Sequence, residues 1–122
     1  MDTVYTQNAP DAIGPYSQGF IANGFVYTSG QIPVDPDTGE IPPTIEEQAV
    51  QSCKNVGAIL EAAGSNFDKV IKTTCFLADM GDFAAFNSVY ADYVTSKPAR
   101  SCVAVKDLPK GVLCEIEAIA EA

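Results

Sequence analysis

The chain has 122 residues, sixteen acidic and seven basic, for a formal net charge of −9, and 47% of it is hydrophobic. That length and balance describe one globular domain, 1–122, able to bury about two-thirds of its unfolded surface. The acidic excess, with no lysine-arginine cluster, argues against nucleic acid as a partner, and the absence of histidine removes the Ser-His-Asp and Cys-His nucleophile systems and the commonest transition-metal ligand.

The N-terminal stretch MDTVYTQNAP is polar, with neither a basic n-region nor an apolar core, and no apolar run approaches the roughly 18 residues of a membrane span. The chain therefore reads as cytoplasmic, with no membrane partner. The first structural signal is GFIANGFVYTSG, in which β-branched and aromatic residues flank Asn23-Gly24. That dipeptide tolerates positive φ at both central positions of a type I′ turn, so a hairpin is predicted, with strands near Ser17–Ala22 and Phe25–Ser29. QIPVDPDTGEIPP is rich in turn formers and reads as an ordered loop.

Thr44-Ile45-Glu46-Glu47 is a capping box that opens a helix. Ile45, Ala49, Cys53 or Ser52, Val56, Ile59, Leu60 and Ala63 recur at helical spacing, and Gly64 stands where a left-handed C-cap is wanted, so the helix runs from about Thr44 to Ala63. KVIKTTCFLAD is a half-buried strand by its β-branched and aromatic content. A second helix is predicted from about Gly81 or Asp82 through Phe83, Phe86, Val89, Tyr90, Tyr93 and Val94 until Lys97-Pro98 stops it. Two last strands, ARSCVAV and VLCEIEAIA, flank the turn-forming KDLPKG and are expected to pair as a hairpin. The order of elements describes an α+β fold with two helices on one face of a sheet, whose other face needs cover; oligomerisation is the natural source.

Cys53, Cys75, Cys102 and Cys114 form no C-x-x-C pair, so they read as free, mostly buried thiols and offer neither a zinc site nor a redox motif. Arg100 is the only arginine. A planar guanidinium is chosen over lysine where something must be gripped by two parallel hydrogen bonds, although an ordinary ion pair would use it too. On a strand, alternate residues share a face, so Arg100 goes with Cys102, and Glu115 with Glu117. A final hairpin would bring Glu115 beside Arg100, within reach of one small ligand; solvent-facing strand glutamates are the plainer alternative. Ser29-Gly30 and Tyr16 after Gly14-Pro15 offer a hydroxyl, a closely approachable backbone and a fixed phenol, each equally readable as turn or packing chemistry.

Taken in order, IGPYSQ, TSGQIP, VIKTTCFLADM, FAAFNSVYADY, PARSCV and EIEAIA resemble the RidA/YjgF reactive-intermediate deaminases, end to end. The resemblance implies a chorismate-mutase-like mixed sheet assembled as a homotrimer with clefts between subunits. It also implies cofactor-independent hydrolysis of 2-imino acids, tautomers of enamines such as 2-aminoacrylate and 2-aminocrotonate, to 2-keto acids and ammonia. Carried onto this chain, it assigns Arg100 to the substrate carboxylate, with the backbone of Gly30 and Cys102 helping. Glu115 positions the attacking water, Ser29 bonds near the reacting centre, Tyr16 lines the cleft and assists proton transfer, and Asn87 and Phe86 are further substrate-binding positions. Cys102 is assigned to packing and backbone contact, since no histidine lowers its pKa. Two departures stand out: Cys114 where the family usually has a branched aliphatic, and a short Tyr93–Pro98 connection with Val94 where a second aromatic is common. Both bear on substrate range. A metabolite sensor or scaffold using the same cleft, or a holdase-type chaperone, are the alternatives.

Overall fold

Asn23 and Gly24 have φ of 53° and 81°, the two left-handed residues of a type I′ turn, and they join β2 (Gly19–Ala22) to β3 (Phe25–Thr28) as the dipeptide requires. The computed structural model describes residues 2–122. The other elements are β1 (Asp2–Val4), α1 (Ile45–Ala62), β4 (Val70–Leu77), α2 (Phe83–Tyr93), β5 (Ala99–Ala104) and β6 (Cys114–Glu121). β1, which pairs antiparallel with β2, was not visible in the polar N-terminal sequence; three residues are too few to show alternation.

The capping box forms. Thr44 Oγ1 accepts from the Glu47 amide at 3.2 Å, and its hydroxyl donates to Glu47 Oε1 at 2.9 Å. At the other end Gly64 takes φ +81° while its amide donates to the Glu61 carbonyl and that of Ser65 to Leu60, the paired bonds of a Schellman stop. α2 ends without glycine: Val94 and the following turn are tied down by side chains, Thr95 Oγ1 to Asp68 at 3.0 Å and Ser96 Oγ to the Val70 carbonyl at 2.7 Å.

The strand order is β1-β2-β3-β6-β4-β5. β4 and β5 are parallel, connected through α2, and every other pairing is antiparallel. This corrects one expectation: β5 and β6 do not form a hairpin. β4 lies between them, because β6 is drawn to the centre, where Ile116, Ala118 and Ala120 are buried, and β5 is left at the edge. An edge strand needs less apolar surface, and Ala99, Ser101, Val103 and Ala104 are exposed.

α1 and α2 cover one face. Ala49, Cys53, Val56 and Leu60 of α1 and Phe86 and Tyr90 of α2 pack on Val26, Cys75, Leu77, Cys114, Ile116 and Ala118, each large side chain contributing about 1.5–3 kcal/mol through burial. Burial pushes the thiols up, Cys75 to about 12 and Cys114 to about 11, so they behave as small hydrophobes. The opposite face holds Tyr27, Thr74, Phe76, Val103, Glu115, Glu117 and Ile119 by register, with no helix over it. Among the described residues no helix is long and apolar enough to cross a membrane.

Candidate active site

Register decides where the predicted residues go. Arg100 stands beside Thr73, which stands beside Ala118; Cys102 stands beside Cys75, which stands beside Ile116. Both rows belong to the helix-covered face, and Thr73, Cys75, Ile116 and Ala118 are all buried. Glu115 pairs with Phe76, which pairs with Val103, one position along and therefore on the open face. Within one chain, then, Arg100 and Glu115 are on opposite sides of the sheet, contrary to the hairpin expectation.

Arg100 sits in a cradle built by α2. Its guanidinium carbon lies 4.8 Å from the centre of the Tyr90 ring and 5.5 Å from that of Phe83, and Nη1 donates to Asn87 Oδ1 at 2.7 Å. Two aromatic faces attract the cation and hold its plane. Tyr90 is itself fixed by a 2.7 Å hydrogen bond between its hydroxyl and that of Thr73. Of five guanidinium N–H donors, one is used by Asn87, and among the described residues no carboxylate hydrogen-bonds the rest. Cys102 shares this face, and burial raises its thiol pKa against an opposing pull from Arg100, so at neutral pH it is a thiol and not a ready nucleophile. Phe86 is a correction: it has no exposed surface and is a core side chain under α2, not a ligand contact.

The second group gathers around Gly30. Glu115 lies so close to the Gly30 Cα that a Cβ there would meet its carboxylate, 2.9 Å from Cδ and 3.2 Å from Cγ. A side chain at this position would therefore push the Glu115 carboxylate aside, and no left-handed φ demands glycine there. The carboxyl is half-buried and its pKa is raised, first by desolvation and then by Glu117. Ser29 donates its hydroxyl to the Ser17 carbonyl and takes the Gln18 carbonyl on its own amide at 2.8 Å, which leaves the hydroxyl oxygen free to accept. Tyr16 is 54% exposed; its hydroxyl accepts from the Ile13 amide at 3.3 Å. It borders a recess with Ser29 and a second cleft with Gly30, Gln31 and Lys110, about 720 Å³ out to its mouth.

Several residues that hold these groups were missed from sequence. Phe83 and Tyr90 read as a core stripe but form the arginine's cradle. Gln18, 2% exposed, binds the Thr6, Ala9 and Pro10 carbonyls and the Thr6 amide, pinning the segment before Tyr16. Asn55 of α1 donates to the Ile32 and Val34 carbonyls at 3.1 and 3.0 Å, anchoring the loop after Gly30. The available signal was a buried-face amide on an otherwise apolar helix stripe. Among the described residues, no three His, Cys, Asp or Glu side chains gather as a metal-binding set.

The profile of the family described as Endoribonuclease L-PSP matches residues 6–122. The chain belongs to this family, RidA/YjgF. Its similarity to a 2-iminobutanoate/2-iminopropanoate deaminase of Escherichia coli K12 is 52% identity over 122 residues, 97% of this chain and 95% of the relative. A Lactococcus lactis protein bearing the regulator name AldR is 54% identical over 123 residues, 99% and 98% of the two chains. Among solved structures, E. coli TdcF with bound serine superposes with a TM-score of 0.95 at 50% identity, covering 100% of this chain and 99% of that one. The E. coli YjgF gene product does so with 0.96 at 50%, covering 99% and 98%. The RidA-type mixed α+β sheet with two helices on one face is therefore the fold of this chain.

Proposed function

We propose that this RidA-family protein hydrolyses 2-imino acids to 2-keto acids and ammonia, in a cleft that two protomers of a trimer complete. The observation that carries the reading is the 52% identity, across nearly the whole of both chains, to the E. coli protein named 2-iminobutanoate/2-iminopropanoate deaminase. The separation of the two residue groups supports the assembly: a carboxylate bound at Arg100 is out of reach of Glu115 on its own chain, and a second copy supplies the other half. The unhelical sheet face gives such a copy apolar surface to cover, with Tyr27 and Val103 at 41% and 46% exposure.

Arg100, held flat by Tyr90 and Phe83, takes the substrate carboxylate on two parallel N–H donors and fixes where the adjacent imine carbon points. Glu115 of the neighbouring protomer accepts a proton from a water as the water oxygen bonds to that carbon; the C=N electron pair moves to nitrogen, which takes up a proton. The resulting carbinolamine loses ammonia as its hydroxyl gives up a proton and the C=O bond forms. In sum, imino acid and water become keto acid and ammonia. The raised pKa of Glu115, from desolvation and then Glu117, makes it a better proton acceptor than an ordinary carboxylate. Ser29 accepts from the substrate N–H, and Tyr16 closes the wall and relays the proton to the leaving nitrogen.

The test couples the protein to a threonine dehydratase and threonine and follows 2-ketobutyrate: acceleration over spontaneous imine decay is expected, and no acceleration overturns the proposal. The AldR name of the 54% identical relative favours one second reading, a keto-acid sensor. Calorimetric binding of 2-ketobutyrate without imine turnover would select it. RNA cleavage, which the family's description evokes, is opposed by the −9 charge, the single arginine and the missing histidine.

A further inference from the structure

The groove that Arg100 borders also holds Lys97. Asn87, Tyr90, Thr95, Pro98, Lys97 and Arg100 line it, its lining has no aspartate or glutamate, and it measures about 950 Å³ out to its mouth. In a chain with seven cations against sixteen acids, two cations line this one groove, and the carboxylate of Asp68 reaches it only through its hydrogen bond with the lining Thr95. The overall −9 bears on the groove little, because at physiological salt exposed charges beyond about 8 Å are largely screened; what counts is the two lining cations against the nearby Asp68.

Lys97 is also placed and not merely present. Its backbone is left-handed, φ +51°, a conformation that a β-carbon makes uncommon and that its surroundings impose. Val94 is buried at 4% exposure, Thr95 is tied to Asp68 and Ser96 to the Val70 carbonyl, and Pro98 leads directly into β5. The turn is thus anchored on both sides of an exposed lysine. Lys97 and Arg100 are three positions apart, so their Cα atoms are at most about 11 Å apart, and both residues line one groove. That spacing suits a ligand with two anionic ends joined by a short chain.

We infer that Lys97 is a specificity-determining residue that binds a second anionic group, so that the substrates this groove selects are 2-imino acids with an acidic side chain, the imino dicarboxylates. This rests on the carboxylate grip assigned to Arg100 above. Arg100 takes the carboxylate next to the imine, and Lys97 takes the distal one as a flexible point charge, which needs no bidentate geometry. A monocarboxylic imine occupies the same site without the second contact.

Calorimetry on the intact protein with two five-carbon keto acids, 2-oxoglutarate and 2-oxopentanoate, tests both layers. The wild type is expected to bind 2-oxoglutarate on the order of tenfold more tightly, the worth of one charge-assisted contact, with the advantage shrinking as salt rises. Lys97→Met removes the preference and leaves 2-oxopentanoate binding within about twofold; Lys97→Arg keeps it. Equal affinities in the wild type, or a preference that survives Lys97→Met, overturns the inference while the deaminase reading stands on the 2-oxopentanoate arm. If neither acid binds, or if Arg100→Lys leaves 2-oxopentanoate binding unchanged, the carboxylate grip itself fails and the inference with it.

Discussion

Arg100 and Glu115 are held by opposite kinds of surroundings. The guanidinium rests on two aromatic rings and one amide oxygen, contacts that a cation gains from whether or not a ligand is present. The carboxylate is pressed against a glycine and faces a second carboxylate, and its pKa is raised. One side chain is cradled by neighbours that suit a cation, and the other has its ionised form disfavoured. On the proposed reading, the contrast teaches that a binding group is built for permanence, whereas a proton-transfer group is built with its ionised form destabilised, at a cost the rest of the fold offsets.

The sharpest way to break the contrast is at Gly30. Gly30→Ala puts a methyl where the Glu115 carboxylate lies; displacement by about 1 Å costs on the order of 100-fold in kcat/KM, with little change in keto-acid binding by Arg100. Steady-state kinetics on 2-iminobutanoate beside calorimetry separates the two. Arg100→Lys should have the complementary effect, about tenfold or more lost in kcat/KM together with keto-acid binding, because a point charge replaces a bidentate fork. Equal loss of binding in both variants would erase the distinction.

Tyr90→Phe keeps a ring under Arg100 but leaves the buried Thr73 hydroxyl without its 2.7 Å partner, an expected loss of about 1–3 kcal/mol in denaturant unfolding. Glu115→Gln probes the other side through pH. A carboxyl whose folded pKa lies above its unfolded one costs nothing where both forms are protonated, and its cost grows as pH rises through the unfolded pKa to the folded one. Glu115→Gln should therefore raise Tm at pH 7 and lose that gain below about pH 4. A gain that grew on acidification would reverse the assigned sign. Smallest of all, Cys102→Ser should leave kcat/KM within about threefold, since the thiol is protonated at neutral pH.

Local chemistry was legible in the sequence wherever the signal was itself local. Asn23-Gly24 announced its turn, Thr44 to Glu47 its cap, and Gly64 its stop, because each is decided by a few neighbouring residues. The pairing of β6 was not legible: a strand that begins ten positions after β5 ends can turn back on β5 or pass to β4, and the choice depends on which position buries Ile116 and Ala118 best. The same limit hid the site's division. Alternation correctly put Arg100 with Cys102 and Glu115 with Glu117, but which pair faces the helices depends on the register with β4. The roles of Gln18 and Asn55 were equally out of reach, since an amide's carbonyl partners eight or more residues away leave no periodic trace.

The central claim is that Arg100 of one protomer and Glu115 of another serve one substrate. Arg100→Ala and Glu115→Ala chains, each expected to be inactive alone, can be unfolded together and reassembled in equal amounts. In a head-to-tail trimer about one interface in four then joins an intact arginine to an intact glutamate, so 2-iminobutanoate turnover should return to roughly a quarter of the wild-type rate. Turnover no higher than that of the separate variants, in mixtures shown to contain hybrid trimers, would contradict it.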